Sequence, residues 1–218
     1  MITSEKLNQI VENERKALNL NQQLENAIYG VEFGGKSQYD TFWDTYQENG
    51  NRVHYVQAFA NKGWVDGTYN PKYPFADGIT YAAGMFQNSQ MTDTKYPLNF
   101  ANLRANAGSM FSGANKLKTI KTLTVTENTS MTTWFQNCTE LENITFDGII
   151  GQNLDIHWST LLTAESYHSI ITHCSKTANF TLTLPAESTV RSVYDTKYGS
   201  GAWDAIVAEY DNVTIAYN

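Results

Sequence analysis

The residues best suited to nucleophilic chemistry in this chain are Cys174 and the histidines around it, His168 and His173. A thiol becomes an effective nucleophile when a base within hydrogen-bond reach takes its proton. Adjacent residues on a helix point about 100° apart, so His173 is badly placed to serve Cys174. Cys174 also falls on an apolar face with Tyr167, Ile170 and Ile171, where a free cysteine packs as a small hydrophobe. His157, His168 and His173 make a poor metal set, because the i, i+5 spacing of the last two spreads them around a helix and no CxxC pair accompanies them. Gly34-Gly35-Lys36-Ser37 has the end of a phosphate loop but neither the upstream glycine nor a leading strand, and reads as a linker. The carboxylate pairs Asp204/Glu209 and Glu140/Glu142 fall on predicted surface helices or turns, and nothing in the sequence sets them up as a glycosidase pair. The expectation is therefore no catalytic residue, no cofactor and no metal.

The elements that would position these side chains come from a repeat. Met85-Phe86-Gln87-Asn88, Met110-Phe111-Ser112-Gly113 and Trp134-Phe135-Gln136-Asn137 align, with the phenylalanines 25 and then 24 residues apart. The last two copies continue as Ala114 or Cys138, then Leu117 or Leu141, then Ile120 or Ile144, so Cys138 occupies the small slot of Ala114. The first copy is one residue short before Met91. Ile144 and Phe146 are two apart and point to one side of a strand. Leu117-x-x-Ile120-x-x-Leu123-x-Val125 has one residue more, which predicts a bulge or a shift. Each copy offers a short strand and an aromatic turn, too little to bury its own apolar side, so stacking must make the core continuous. The predicted repeat core is Phe86, Met91, Phe111, Leu117, Ile120, Phe135, Cys138, Leu141, Ile144 and Phe146.

Around the repeat, residues 3–29 read as one helix, capped by Thr3 or Ser4 and stopped by Gly30. Leu7, Val11, Leu18, Leu24 and Ile28 form an apolar stripe, interrupted by Glu14 and Asn21. The helix would span roughly 40 Å. Two uses stay open for its stripe: docking on its own chain, and oligomerisation or attachment. Residues 31–78 are aromatic-dense, with Tyr39, Phe42, Trp43 and Tyr46 on one helical face, and read as an N-terminal cap. After the copies, Thr163 caps a helix running to Cys174, and Asn179–Pro185 is a strand. Helices over 187–197 and 202–210 flank Gly199-Ser200-Gly201, and Asn212–Tyr217 is a last strand. The domains expected are 1–30 helical stem, 31–78 N-terminal cap, 79–185 repeat region and 186–218 C-terminal cap.

Composition narrows the partners. Fifteen basic and 22 acidic residues give a net charge of −7 with no basic cluster, which disfavours nucleic acid and anionic membrane surfaces. Met1–Leu20 has no apolar run, so no signal peptide or membrane insertion is expected. Five Asn-x-Ser/Thr sequons (Asn128, Asn137, Asn143, Asn179 and Asn212) read as a Thr/Asn-rich β surface. Exposed aromatics of residues 39–73 or around His157-Trp158 could stack on sugars, or could belong to core and cap.

The Phe-x-x-Cys-x-x-Leu-x-x-Ile unit resembles the irregular leucine-rich repeats of BspA-like proteins. The Leu-Thr-x-Glu-Ser helix, the Thr-Leu-Thr-Leu strand and the closing Val-Thr-Ile are similar in style to prophage-encoded members. Tyr39–Arg52 with Gly63-Trp64 resembles the part preceding such repeats in phage and prophage proteins of gut Firmicutes, so the likeness covers roughly residues 36–218. It implies a mixed α/β (α+β) fold, a short leucine-rich-repeat solenoid with an N-terminal helical stem and capping segments. The function it implies is that of a non-enzymatic virion component: a tail fibre, baseplate or capsid decoration. Its partners would be other virion proteins, itself through the N-terminal helix, and a host surface glycan or protein. The alternatives are a bacterial surface adhesin and, third, a glycan-active enzyme or effector. Lacking the signal peptide and wall anchor of surface members, the chain is expected in the virion rather than on the bacterial surface.

Overall fold

The computed structural model describes residues 68–69, 82–94, 97–101, 103 and 108–218. The expected stem with Leu7, Val11, Leu18, Leu24 and Ile28, and nearly all of the expected cap over 31–78, lie outside them. The architecture is mixed α/β, built on two parallel sheets. In the first, β1 (Thr68–Tyr69) pairs with β2 (Asp93–Thr94), and β4 (Thr119–Val125) takes β2, β3 (Leu98–Asn99) and β5 (Asn143–Gly148). Thr119 lies between Asp93 and Asn143, and Leu123 between Leu98 and Phe146. Both β2 and β3 are thus opposite β5, two pieces of one interrupted rung. Parallel neighbours require the chain to travel round and return in the same direction.

Side chains alternate between faces at period 2. Ile120, Leu123 and Val125 of β4 are buried, as are Ile144 and Phe146 of β5, while Thr145 and Asp147 face outward. The extra residue of β4 appears as a register shift between Ile120 and Leu123. There the backbone N–H of Lys121 donates to the buried hydroxyl of Thr94 at 2.8 Å, so the shift leaves that donor satisfied.

The aromatic turns carry a second ladder. Phe86 N–H donates to Met110 O, Asn88 N–H to Ser112 O, Phe111 N–H to Trp134 O and Gly113 N–H to Gln136 O, at 2.8–3.0 Å. Left-handed residues flank each phenylalanine two positions before and after: Gly84 and Asn88, Ser109 and Gly113, Thr133 and Asn137. At Gly113 (φ 76°) an added Cβ would also run into the Asn88 side chain of the preceding copy. Thr133 holds φ 57° despite its branched Cβ, a conformation costing about 1–3 kcal/mol. Its hydroxyl meets that of Ser109, the equivalent residue one copy earlier, at 2.9 Å. Inside, Phe86, Phe111 and Phe135 stack, with centroids 5.4 and 5.7 Å apart and planes within 5° and 11°.

The outer edge of β5 is closed by a helix. In α1 (Ala164–Thr172), Thr163 caps the N-terminus by accepting from Ser166 N–H at 3.3 Å. Ser166 accepts from Ile144 N–H at 3.0 Å and donates to Glu142 O, while Ser169 accepts from Phe146 N–H at 2.8 Å. Two buried hydroxyls therefore do for β5 what a further strand would do.

A bridge between Ile150 and Cys174 leads to the second sheet, β6 (Leu154–Asp155), β7 (Phe180–Leu184) and β8 (Val213–Tyr217). Asn143-Ile144-Thr145, Asn179-Phe180-Thr181 and Asn212-Val213-Thr214 each place a buried residue between two outer ones at a strand start. Asn212 works structurally, its amide donating to Ser175 O and Ala178 O. Between β7 and β8, α2 (Glu187–Tyr198) and α3 (Ala202–Val207) are joined at Gly199-Ser200-Gly201. Asp195 accepts from the N–H groups of Gly201 and Trp203, and Trp203 donates its indole N–H to Tyr217 Oη at 2.8 Å. No helix among the described residues is long and apolar enough to cross a membrane.

Candidate binding surface

Every predicted repeat-core residue, from Phe86 to Phe146, is at most 2% exposed. Cys138 donates its thiol to Phe111 O at 3.2 Å, and Cys174 its own to Ile170 O at 3.4 Å. Burial pushes both thiols up to about 12, which leaves them protonated and inert near neutral pH. The histidines are dispersed: His168 Nδ1 meets Tyr194 Oη at 2.8 Å, and His173 Nδ1 lies 2.7 Å from the Ser169 carbonyl. Among the described residues no three His, Cys, Asp or Glu side chains converge as a metal site would require. Three of the four carboxylates of the candidate acid pairs enter ion pairs, Asp204 with Arg191, Glu209 with Lys176 and Glu140 with Lys118.

Two outward features remain. The first is the polar face of the five-stranded sheet. Asp93, Thr119 and Asn143 share one row across the strands, and Asn99, Thr124 and Asp147 another. Neighbouring strands lie roughly 4.8 Å apart, so hydroxyl, amide and carboxylate groups recur at that interval. Thr124 donates to Asp147 Oδ2 at 3.1 Å, and Thr163 to Asn143 Oδ1 at 3.3 Å. The face is half pre-ordered by its own contacts.

The second is the turn after β6. Asp155 Oδ1 lies 2.5 Å from His157 Nδ1 and also accepts from His157 N–H at 3.2 Å. The His157 ring sits against Trp158, centroids 4.5 Å apart and planes tilted by 36°. Trp158 itself is 38% exposed. Ile156 and Ser159 on either side are fully buried. Ile156 N–H donates to Thr183 O at 2.9 Å, and Ser159 Oγ–H to Cys138 O at 3.0 Å. Alternation of in and out residues leaves part of the indole open to solvent on a backbone pinned at both sides. The sequence singles out His157-Trp158 but not Asp155, whose i, i+2 relation to His157 gains meaning only once the turn brings them together.

Compared with known proteins, the chain matches no family model, no curated protein and no solved structure.

Proposed function

We propose that this protein is a non-enzymatic recognition and scaffold component of a phage particle (a tail fibre, baseplate or capsid decoration), built as a short leucine-rich-repeat solenoid on a helical stem. One observation carries the recognition half: the same backbone pattern recurs around Phe86, Phe111 and Phe135, each copy bonded to the next, leaving a strand face of Thr, Asn and Asp outward. Stacked repeats of this kind suit extended binding surfaces rather than deep reactive pockets. The raised thiols of Cys138 and Cys174 favour the same reading. The virion assignment rests on the resemblance of the repeat and the C-terminal segments to prophage-encoded BspA-like chains. In this reading Leu7, Val11, Leu18, Leu24 and Ile28 join the stem to a neighbouring virion protein or to another copy, and the repeat surface meets a host glycan or protein.

The test is to induce phage in the source strain, band the particles on a density gradient and quantify this chain by mass spectrometry. A fixed copy number per particle is expected. Recovery in the cell-wall fraction alone would overturn the virion role and favour a surface adhesin.

A further inference from the structure

We infer that the Asp155–His157–Trp158 turn is a sugar-stacking site for a neutral glycan. This deepens the recognition reading above and rests on it. An amphipathic sugar presents C–H groups on one ring face and hydroxyls around its rim, so its site needs a flat apolar platform beside a hydrogen-bond acceptor. Trp158 supplies the platform. His157 backs the indole on one side, and Asp155 grips that imidazole through both its ring and its backbone nitrogen, so the support cannot swing away. Ile156 and Ser159 pin the backbone beneath. A platform already fixed loses little conformational freedom on binding.

Asp155 supplies the acceptor. Its side chain is 47% exposed, and among the described residues only its Oδ1 has a hydrogen-bond partner. Oδ2 is left to accept from sugar hydroxyls, in bonds strengthened by its charge. Thr183, beside Asp155 in the β6–β7 register, adds a hydroxyl that donates or accepts.

Charge selects among sugars. No lysine or arginine occurs between Lys121 and Lys176, and the imidazole of the turn is already engaged by the Asp155 carboxylate. A sialylated or sulfated ligand would meet Asp155 with no cation from this stretch to offset it. A neutral ring is the class that fits.

The experiment titrates the full chain with β1,4-linked trisaccharides of glucose and of N-acetylglucosamine, and with sialyllactose, following the Trp158 indole resonance assigned by its loss in W158A. Saturable shifts with a neutral trisaccharide are expected, weakened at least roughly tenfold in W158A. W158F, which keeps a flat ring, should stay within about threefold. W158A should still unfold cooperatively, at a melting temperature lowered by the packing that the covered part of the indole supplies. Undiminished trisaccharide binding by W158A would overturn this site while leaving the recognition reading standing. Preference for sialyllactose, or no response to any of the three at about 20 mM, would overturn the neutral-glycan assignment, and the particle experiment would still decide the virion role independently.

Discussion

From Gly84 to Gly148 the described chain returns to a parallel position through turns; from Ile150 to Asn218 it does so through helices. Sheet partners in the first part keep a near-constant separation, Asp93 with Thr119, Ile120 with Ile144 and Leu123 with Phe146. In the second the separation grows, from Ile150 with Cys174 to Leu154 with Leu182 to Phe180 with Val213. Where the next copy supplies the hydrogen bonds, local preference can be overridden, and Thr133 sits in a left-handed conformation that a branched side chain resists. Where helices close the path, preference is mostly obeyed: Thr163 caps α1, Asp195 accepts from the first turn of α3, and Gly199 and Gly201 take positive φ angles, while α2 starts at Ala186 without a side-chain cap. One part owes its shape to its neighbours, the other to its own sequence.

The strongest way to break this contrast is Phe111→Ala, which removes the ring stacked on both sides. About 4 kcal/mol of stability should be lost in urea unfolding. Hydrogen exchange should show protection falling at the Asn88 and Gly113 amides together, since both belong to the ladder that the ring supports. Next, Ser169→Ala leaves Phe146 N–H buried without its acceptor, at a cost of about 2 kcal/mol; Ser169→Thr, which retains the hydroxyl, should recover part of it. Two stabilising changes sharpen the contrast from opposite sides, each by about 1 kcal/mol on thermal unfolding. Thr133→Asn gives this left-handed position the residue type that the other left-handed column uses at Asn88 and Asn137. Tyr167→Phe removes a buried hydroxyl with no partner among the described residues. A loss of stability from Thr133→Asn would mean that the Ser109 hydroxyl contact outweighs backbone strain.

The smallest effect is electrostatic and belongs to the helical part, where ion pairs gather. The hydrogen bond from Arg191 holds Asp204 below its ordinary value of 3.8. A carboxyl depressed on folding adds stability that is present above the unfolded value and lost as pH falls through the folded one. Asp204→Asn should therefore flatten the acid limb below pH 3.8 and lower stability at neutral pH by that same amount, a small one because the pair is exposed and solvent-screened.

Much of the fold can be read from residue spacing. Phenylalanines 25 and 24 apart show where the chain revisits one place, and Thr163 before an apolar i, i+3, i+4 pattern marks a helix start. The additional residue between Ile120 and Leu123 announces the register shift. What cannot be read this way depends on contacts between distant segments. Ser109 and Thr133 carry no mark of left-handed backbone, because their types disfavour it and the next copy enforces it. Ser166 and Ser169 look like ordinary helix serines until β5 lies beside them. Of the candidate site, Trp158 can be suspected as an aromatic near a histidine, but its exposure is a property of the buried Ile156 and Ser159 on either side.

Glu127 accepts from the hydroxyls of Ser175 and Thr177, far along the chain, and its side chain reaches them by crossing Gly151, where any Cβ would collide with it. Two strand intervals, roughly 10 Å, separate the ends of this tie; a third would stretch it to roughly 14 Å. Duplication of a unit between these anchors would detach the carboxylate from both hydroxyls. A unit inserted upstream of Glu127 or beyond Thr177 would leave the tie intact, so the span between these anchors is the one stretch whose length it fixes.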